Sequence, residues 1–421
     1  DHRDLHSFPT RRSSDLKFTN QELYGWMKTE LAKLHYQAYK LAFDLAKRAE
    51  KAFQHERGDN SQSFIQFGYW DSLKKGLLAG ERLLQDLRRM DATYHAENKR
   101  ELELVKMVSL AEHDPDELVK LRQARIAEFS LTEDDYDRDF PDHYLRRLKS
   151  IAVTIPCTSG PYQGVHGTLE IHHGATRPGP KAVEMNATYG PIQSMATSQA
   201  QMDTGVFEMS FRDERLLPFE GLGAHRHPST TGKQIRFELT PGNRFDLRTL
   251  DDLVLDVRYT ARRGRTEGVP TSGTRTLKRL IRVRHEFRTA WALFKEGSSD
   301  GFVLELPESS WRRGGNEQLH TSGTVTNVTA YAWFTPKILT GTTIPAMTLA
   351  PPVGSATEGP GGPVPATDTD YTQWGSGAVG YTFPTSPDSG EWTVGFTSPP
   401  TAFRDNLEEL WVVLTYTVTI V

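Results

Sequence analysis

The sequence predicts a segregated α+β protein: a long α-helical hairpin followed by a mostly antiparallel β-sandwich. Three observations predict it. From Lys17 to about Phe140, apolar residues recur every three or four positions, the period of a helix with one buried face. From about Leu145 onward, short apolar–polar alternations are separated by Gly-, Pro- and Asp-rich turns. No helical stretch separates those strands up to Thr260, so the sheets are expected to be antiparallel rather than crossover-linked.

Composition sets the frame. The chain has 421 residues, 37% of them hydrophobic and 25% charged, which is ordinary globular material of two or three domains. The balance of 50 basic against 54 acidic residues offers no basic field for nucleic acid. Cys157 is the single cysteine, so neither a disulfide framework nor a thiolate metal cluster is available. No apolar run approaches the roughly 18 residues that a membrane-crossing helix needs. Residues 1–16, DHRDLHSFPTRRSSDL, back-translate in frame into a common short-read sequencing adapter. They are read as an assembly artefact and left out of the fold. The expected gene product is longer than this chain.

The first helix is expected from Thr19 or Asn20 to Gly58. Met27, Leu31, Leu34, Ala38, Leu41 and Leu45 step along it as one heptad-like seam, and Trp26, Tyr36, Tyr39 and Phe43 widen its apolar surface. FIQFGYW links to a second helix from about Asp71, striped by Leu73, Leu77, Leu84, Leu87 and Tyr94. Unbroken to Ala111, it would be about 60 Å long at 1.5 Å per residue. Together the two make an αα-hairpin whose apolar surface exceeds what one hairpin covers. Asp114-Pro115 starts a further helix, DPDELVKLRQARIAEF, with proline in the favourable first turn. TEDDYDRDFPDHY is read as an acidic surface connector.

Strands follow at KSIAVTI, GVHGTLEIHH, GPIQSMATSQ, TGVFEMSF, KQIRFEL and DDLVLDVRYTA. The loops GATRPGPK and GLGAHRHPSTTGK lie between them, where binding surfaces commonly sit. Beyond Arg263, LKRLIRVRHEFRTAWALFK reads as a strand and a short helix. FVLELPE, TVTNVTAYAWFTP, EWTVGF and LEELWVVLTYTVTI read as strands. The last is so apolar that it needs a partner on both faces or at an edge. Residues 349–370 form a low-complexity loop. The extension either completes the sandwich or makes its own β unit. The expected division is therefore 17–140 helical hairpin, 141–262 β-sandwich, and 263–421 β-rich extension.

Chemical motifs fail one by one. His285-Glu286 opens like HExxH, but position 289 is Thr, so the second zinc ligand is missing. Around Gly232 and Lys233 a P-loop would need glycine at position 227, which is His, and Ser or Thr after Lys233, which is Gln. His225 with His227, and His172 with His173, read as exposed histidines rather than metal ligands. Asp213 and Glu214 are neighbours on a strand and point to opposite faces, so they do not share a substrate. Cys157 reads as an inert thiol at a strand end, and Leu217 and Phe219 of ERLLPFEG as core residues. No catalytic, cofactor or metal residue is assigned, and no enzyme activity is expected.

Five stretches between Leu23 and Arg262 carry a resemblance. They are ELYGWM with YQAYKLAFDLAKRAEKAFQ, FIQFGYWDSLKKGLLAGERLLQDLRRM, FPDHYLRRLKSIAVTIPC with GPYQGV, DTGVFE with RDERLLPFEGLGA, and DDLVLDVRYTAR. In this order they resemble the C-terminal region of the A subunit of bacterial Tc insecticidal toxin complexes, and RVRHEFRTAWALFK resembles an extension found in many members. The resemblance implies a secreted, non-enzymatic toxin component. Its helices would end the pore-forming channel of a pentamer. Its β part would bind the TcB component of a TcB–TcC cocoon. The alternative expectation is a carbohydrate-binding or sialidase-like β domain on a helical stalk.

Overall fold

A computed structural model of the chain describes residues 20–160, 164–179, 185–198, 206–207, 219–264, 273–307, 310–311, 317–318, 323–335, 344–352, 357–358, 371–383 and 390–420. The chain folds as two compact units that divide between Arg100 and Glu101. The expected α+β class is what forms, with a long N-terminal helix followed by antiparallel sheets.

In the first unit, helix α1 runs Asn20–Arg57 and helix α2 runs Ala79–Glu97. The connector between them doubles back along α1. Trp70 packs on Tyr36 and Tyr39 at ring distances of 5.0 and 5.3 Å, and Tyr69 lies near Phe43. Tyr69 then hydrogen-bonds Asp86 of α2. Further along, Tyr94 meets Phe53 and donates to Glu56, and Arg57 pairs with Glu97. Both helices therefore run in the same direction, a geometry that the return of the connector makes possible. Glu50 pins that return: its carboxylate accepts from the backbone N–H groups of Phe64 and Ile65 and from Lys47. Burial opposes its charge, but these donors outweigh it and hold its pKa below the usual range.

The second helix is much shorter than the expected Asp71–Ala111. Residues 72–78 form turns, with positive φ at Lys75, Gly76 and Leu78. At Gly76 a Cβ would lie 2.2 Å from the Trp70 ring, so the close approach itself requires glycine. The buried stripe is Ala79, Leu83 and Met90; the expected Leu73 is 95% exposed. Past Glu97 the charged stretch is strand β1, Leu102–Ser109, because Val254–Arg263 supplies it with an antiparallel ladder.

In the second unit, β1 leads through α3 (Leu110–His113) to α4 (Pro115–Ala124), β2 (Ile126–Phe129) and α5 (Glu133–Asp137). Strands β3 (His143–Thr154), β4 (His166–Thr176), β5 (Met185–Ser198), β6 (Val206–Phe207), β7 (Ile235–Leu239) and β8 (Val254–Arg263) follow. They form two sheets, β1-β8-β3-β6 and β2-β7-β4-β5, whose inner faces share one core around Phe129, Ile151, Leu169, Phe237 and Val257.

The extension continues with β9 (Gly273–Arg282), α6 (Val283–Glu286), α7 (Arg288–Lys295) and β10 (Gly301–Leu306). It is completed by β11 (Glu317–Gln318), β12 (Thr324–Phe334), β13 (Met347–Ala350), β14 (Thr357–Glu358), β15 (Tyr371–Thr382), β16 (Gly390–Phe396), α8 (Thr401–Asn406) and β17 (Leu407–Ile420). One sheet is β10-β16-β13-β14. The other is β11-β17-β12-β15, with β9 also on β17. These sheets enclose a second core containing Phe302, Trp392, Leu414 and Tyr416. Most of the low-complexity stretch 349–370 lies outside the described residues.

The middle sheet serves both cores. Leu410, Val412, Leu414 and Tyr416 of β17 enter the second core, whereas Trp411 and Val413 enter the first. On β12, Ala330 and Ala332 face one way, and Tyr331 and Trp333 the other. The period of two along a strand delivers alternate side chains to opposite faces, which is why the last strand is apolar throughout.

Candidate docking surface

Apolar side chains left in water mark where a partner can gain most. In the first unit the heptad seam of α1 is exposed at Met27, Leu31, Leu34, Ala38, Leu41 and Leu45. A flanking face, with Ala46 and Phe53, is the one that packs inward. Among the described residues 101–262, the strongly exposed large apolar side chains are Leu102, Val105 and Met107, all on β1. Met107 is 74% exposed. Among the described residues β1 pairs only with β8, so it is a sheet edge. Val105 and Met107 share a face with Glu103, which pairs with Lys149 on β3. Lys106 points inward instead, and its Nζ donates to Asp139 at 2.5 Å. An inward lysine is a common guard against indiscriminate strand addition, so the outward face, not the backbone edge, is the available contact.

The residues singled out from sequence fall into structural roles. Glu286 accepts from Arg279 at 2.6 Å and from the Arg282 backbone at 2.8 Å. His285 sits 3.5 Å from Glu409. His225 is not an exposed loop residue: it is buried, and its backbone bridges Ala175. The GLGAHRH half of that loop threads through the sandwich, and a Cβ on Gly223 would lie 2.5 Å from the Ala175 backbone. His227 accepts from the Ser229 N–H at 3.1 Å. His172 and His173 stand on β4 with ring centroids 6.5 Å apart. No group of three or more metal-ligating side chains occurs among the described residues. Burial pushes the Cys157 thiol pKa up, which disfavours the thiolate. Phe219 is buried as expected. Leu217, Asp213 and Glu214 lie outside the described residues.

The acidic connector is only partly a surface segment: Asp134 and Asp139 stay exposed, whereas Asp137 is buried. Residues 133–137 form α5, capped reciprocally by Thr132 and Asp135. Asp137 accepts from Arg146 at 2.5 Å, with both side chains 1% exposed, and Glu133 accepts from Arg177 at 2.7 Å. These inward arginines, invisible as partners in the sequence, draw the acids into the body.

Residues 9–261 match a model of the family described as the Tc toxin complex TcA C-terminal TcB-binding domain. The chain belongs to this family. It is 35% identical over 264 residues to the toxin subunit YenA2 of Yersinia entomophaga, covering 58% of this chain and 19% of that protein. It is also similar to the cryo-EM structure of Morganella morganii TcdA4, at 26% identity and TM-score 0.44, covering 58% of this chain and 11% of that one. Yersinia pseudotuberculosis TcaA-TcaB gives 27% identity and TM-score 0.45, with 59% and 14% covered. The chain thus spans about a fifth or less of the length of these relatives.

The match to the TcB-binding domain ends at residue 261, within β8, and the extension is joined to the matched part by a charged seam. Arg122 of α4 lies between Trp333 and Trp411, 4.5 and 4.3 Å from the two ring centroids. It also donates to Glu409 at 2.9 Å. Lys278 bonds Asp114 at 2.8 Å and also Asp116; Arg275 faces Asp134 at 3.6 Å, and Arg282 pairs with Asp251 at 2.5 Å. Tyr331 donates to Asp116 at 2.5 Å. Sequence reasoning missed this seam because most of its partners lie far apart along the chain, Arg122 and Glu409 most of all. The signal present was the apolar filling of both faces of Leu407–Ile420.

Proposed function

We propose that this chain is the C-terminal part of a secreted TcA-type toxin subunit that acts by assembly and docking, without catalysis. The helical unit packs beside copies of itself at the end of a pentameric translocation channel. The β body docks the TcB component of a TcB–TcC cocoon, so that cargo passes from cocoon to channel. The observation that carries this reading is the match through residue 261 to a domain described by its binding of TcB. The exposed α1 seam supports the assembly half, since burying one such leucine is worth about 1.5–3 kcal/mol.

The outward face of β1 is the docking contact in this proposal. Val105 and Met107 are the apolar anchors, and the Glu103–Lys149 pair borders them. The test uses the full subunit carrying Val105→Glu and Met107→Glu, mixed with a TcB–TcC pair. Capture should fall at least about 100-fold, because two charges would be buried without partners. Thermal stability should stay within about 1 kcal/mol, since both positions are exposed. Undiminished capture by the double variant would refute β1 as the docking contact.

A further inference from the structure

We infer that residues 273–420 are a permanent second lobe of the TcB-binding body, seated in cis on α4, and that this lobe positions the strand on which a partner docks. Three observations converge. The sheet of β17, β12 and β9 sends alternate side chains into the cores of both lobes, so neither core is closed without it. Arg122, its side chain 2% exposed, is held between two tryptophans and a carboxylate of the extension. Removing those partners leaves a buried charge with no counter-ion. Lys278, finally, reaches Asp114 and Asp116, at the start of α4. Asp114 is joined to β1 only through the single turn of α3, whose backbone Asp252 also holds at Ala111 N–H, 2.9 Å away. The extension thus grips the segment that leaves β1.

The lobe's role in docking rests on the proposed function; its cohesion does not. Cohesion is tested by placing a protease site between Gly264 and Gly273 in the full chain. After cleavage, the two fragments should co-elute as one species at both about 0.1 M and about 1 M salt, because a shared apolar core is not screened. Fragments that separate from the wild-type sequence overturn the inference. In the cleaved chain, Arg122→Glu should weaken association on the order of 100-fold or more. Unchanged association of that variant removes Arg122 from the account.

Docking is read separately, by capture of a TcB–TcC pair. The cleaved wild type should capture as the intact chain does, and cleaved Arg122→Glu should lose capture together with cohesion. Full capture after the lobe has dissociated overturns the positioning role. A Val105→Glu, Met107→Glu chain that coheres yet still captures sinks the β1 docking contact and leaves cohesion of the lobe untouched.

Discussion

Arg122 lies over Trp411, with 4.3 Å between its guanidinium carbon and the ring centroid. Glu409, two residues before Trp411 on β17, completes the pair at 2.9 Å. Burial is the largest influence on this guanidinium and lowers its pKa; the Glu409 charge acts against it. A buried charge in this state depends on its partners. Arg122→Ala is therefore expected to destabilise the body by about 3–5 kcal/mol, mainly by stranding Glu409. Arg122→Met combined with Glu409→Gln removes both charges and keeps the volume, and should lie within about 1 kcal/mol of wild type or above it. Denaturant melts of the two chains check this. Equal losses would show that the cation itself, not its pairing, carries the seam.

The seam is expected to fail in alkali rather than near neutrality. Burial, followed by the charge of Asp116, pushes the Tyr331 hydroxyl well above its usual range, and burial does the same at Tyr371. At Lys278 burial opposes the charge, but Asp114 and Asp116 outweigh it and raise the pKa. For all three groups the folded state holds its proton longer than the unfolded chain. Their contribution is complete below about pH 10 and is lost as pH rises above it. Tyr331→Phe should flatten this alkaline limb while losing the Asp116 hydrogen bond, about 1–3 kcal/mol at neutral pH. Stability measured between about pH 8 and pH 11 decides the point. A wild-type curve with no alkaline fall contradicts it.

The acid limb has a different origin. At Asp135 burial opposes the charge, but His113 and Thr132 outweigh it and lower the pKa. At Glu101 burial is likewise outweighed, by Arg147 and Arg262. Both contributions are present above about pH 4 and disappear as pH falls below it. Asp135→Ala removes both this charge and the acceptor that closes the capping box with Thr132, so it should cost about 1 kcal/mol or more at neutral pH and shrink the acid-induced loss. Melting curves between about pH 3 and pH 7 test this, and an unchanged acid slope in the variant contradicts it.

How much of this was legible in the sequence depended on the range of the interaction. Alternation in Leu145–Thr260 gave the strands, because each strand's period is local. Gly58 and Pro115 marked helix limits for the same reason. The run from Lys99 to Ser109 was misread as helix, since the evidence for a strand was a ladder to residues 254–261. Asp137 and Glu133, read as solvated with their acidic neighbours, turn inward because Arg146 and Arg177 meet them only after folding. His225 of the second Gly-rich loop is buried and bridged to Ala175, a long-range contact that its polar, turn-like sequence does not announce.

The seam of α1 gives the sharpest test of assembly, because folding and association make opposite demands on the two faces of one helix. Phe53 is buried against Phe64 and Tyr94 within the unit, so Phe53→Ala should cost about 3–5 kcal/mol of stability. Leu34 and Leu41 lie on the exposed face, so Leu34→Gln with Leu41→Gln should change stability of an isolated copy by less than about 1 kcal/mol. The same pair should lower assembly of the full subunit sharply, by on the order of 10-fold or more per leucine lost from each interface. Sedimentation of the full subunit at several concentrations separates these effects. If the glutamine pair leaves the assembled fraction unchanged, the seam faces water in the working protein and another surface holds the copies together.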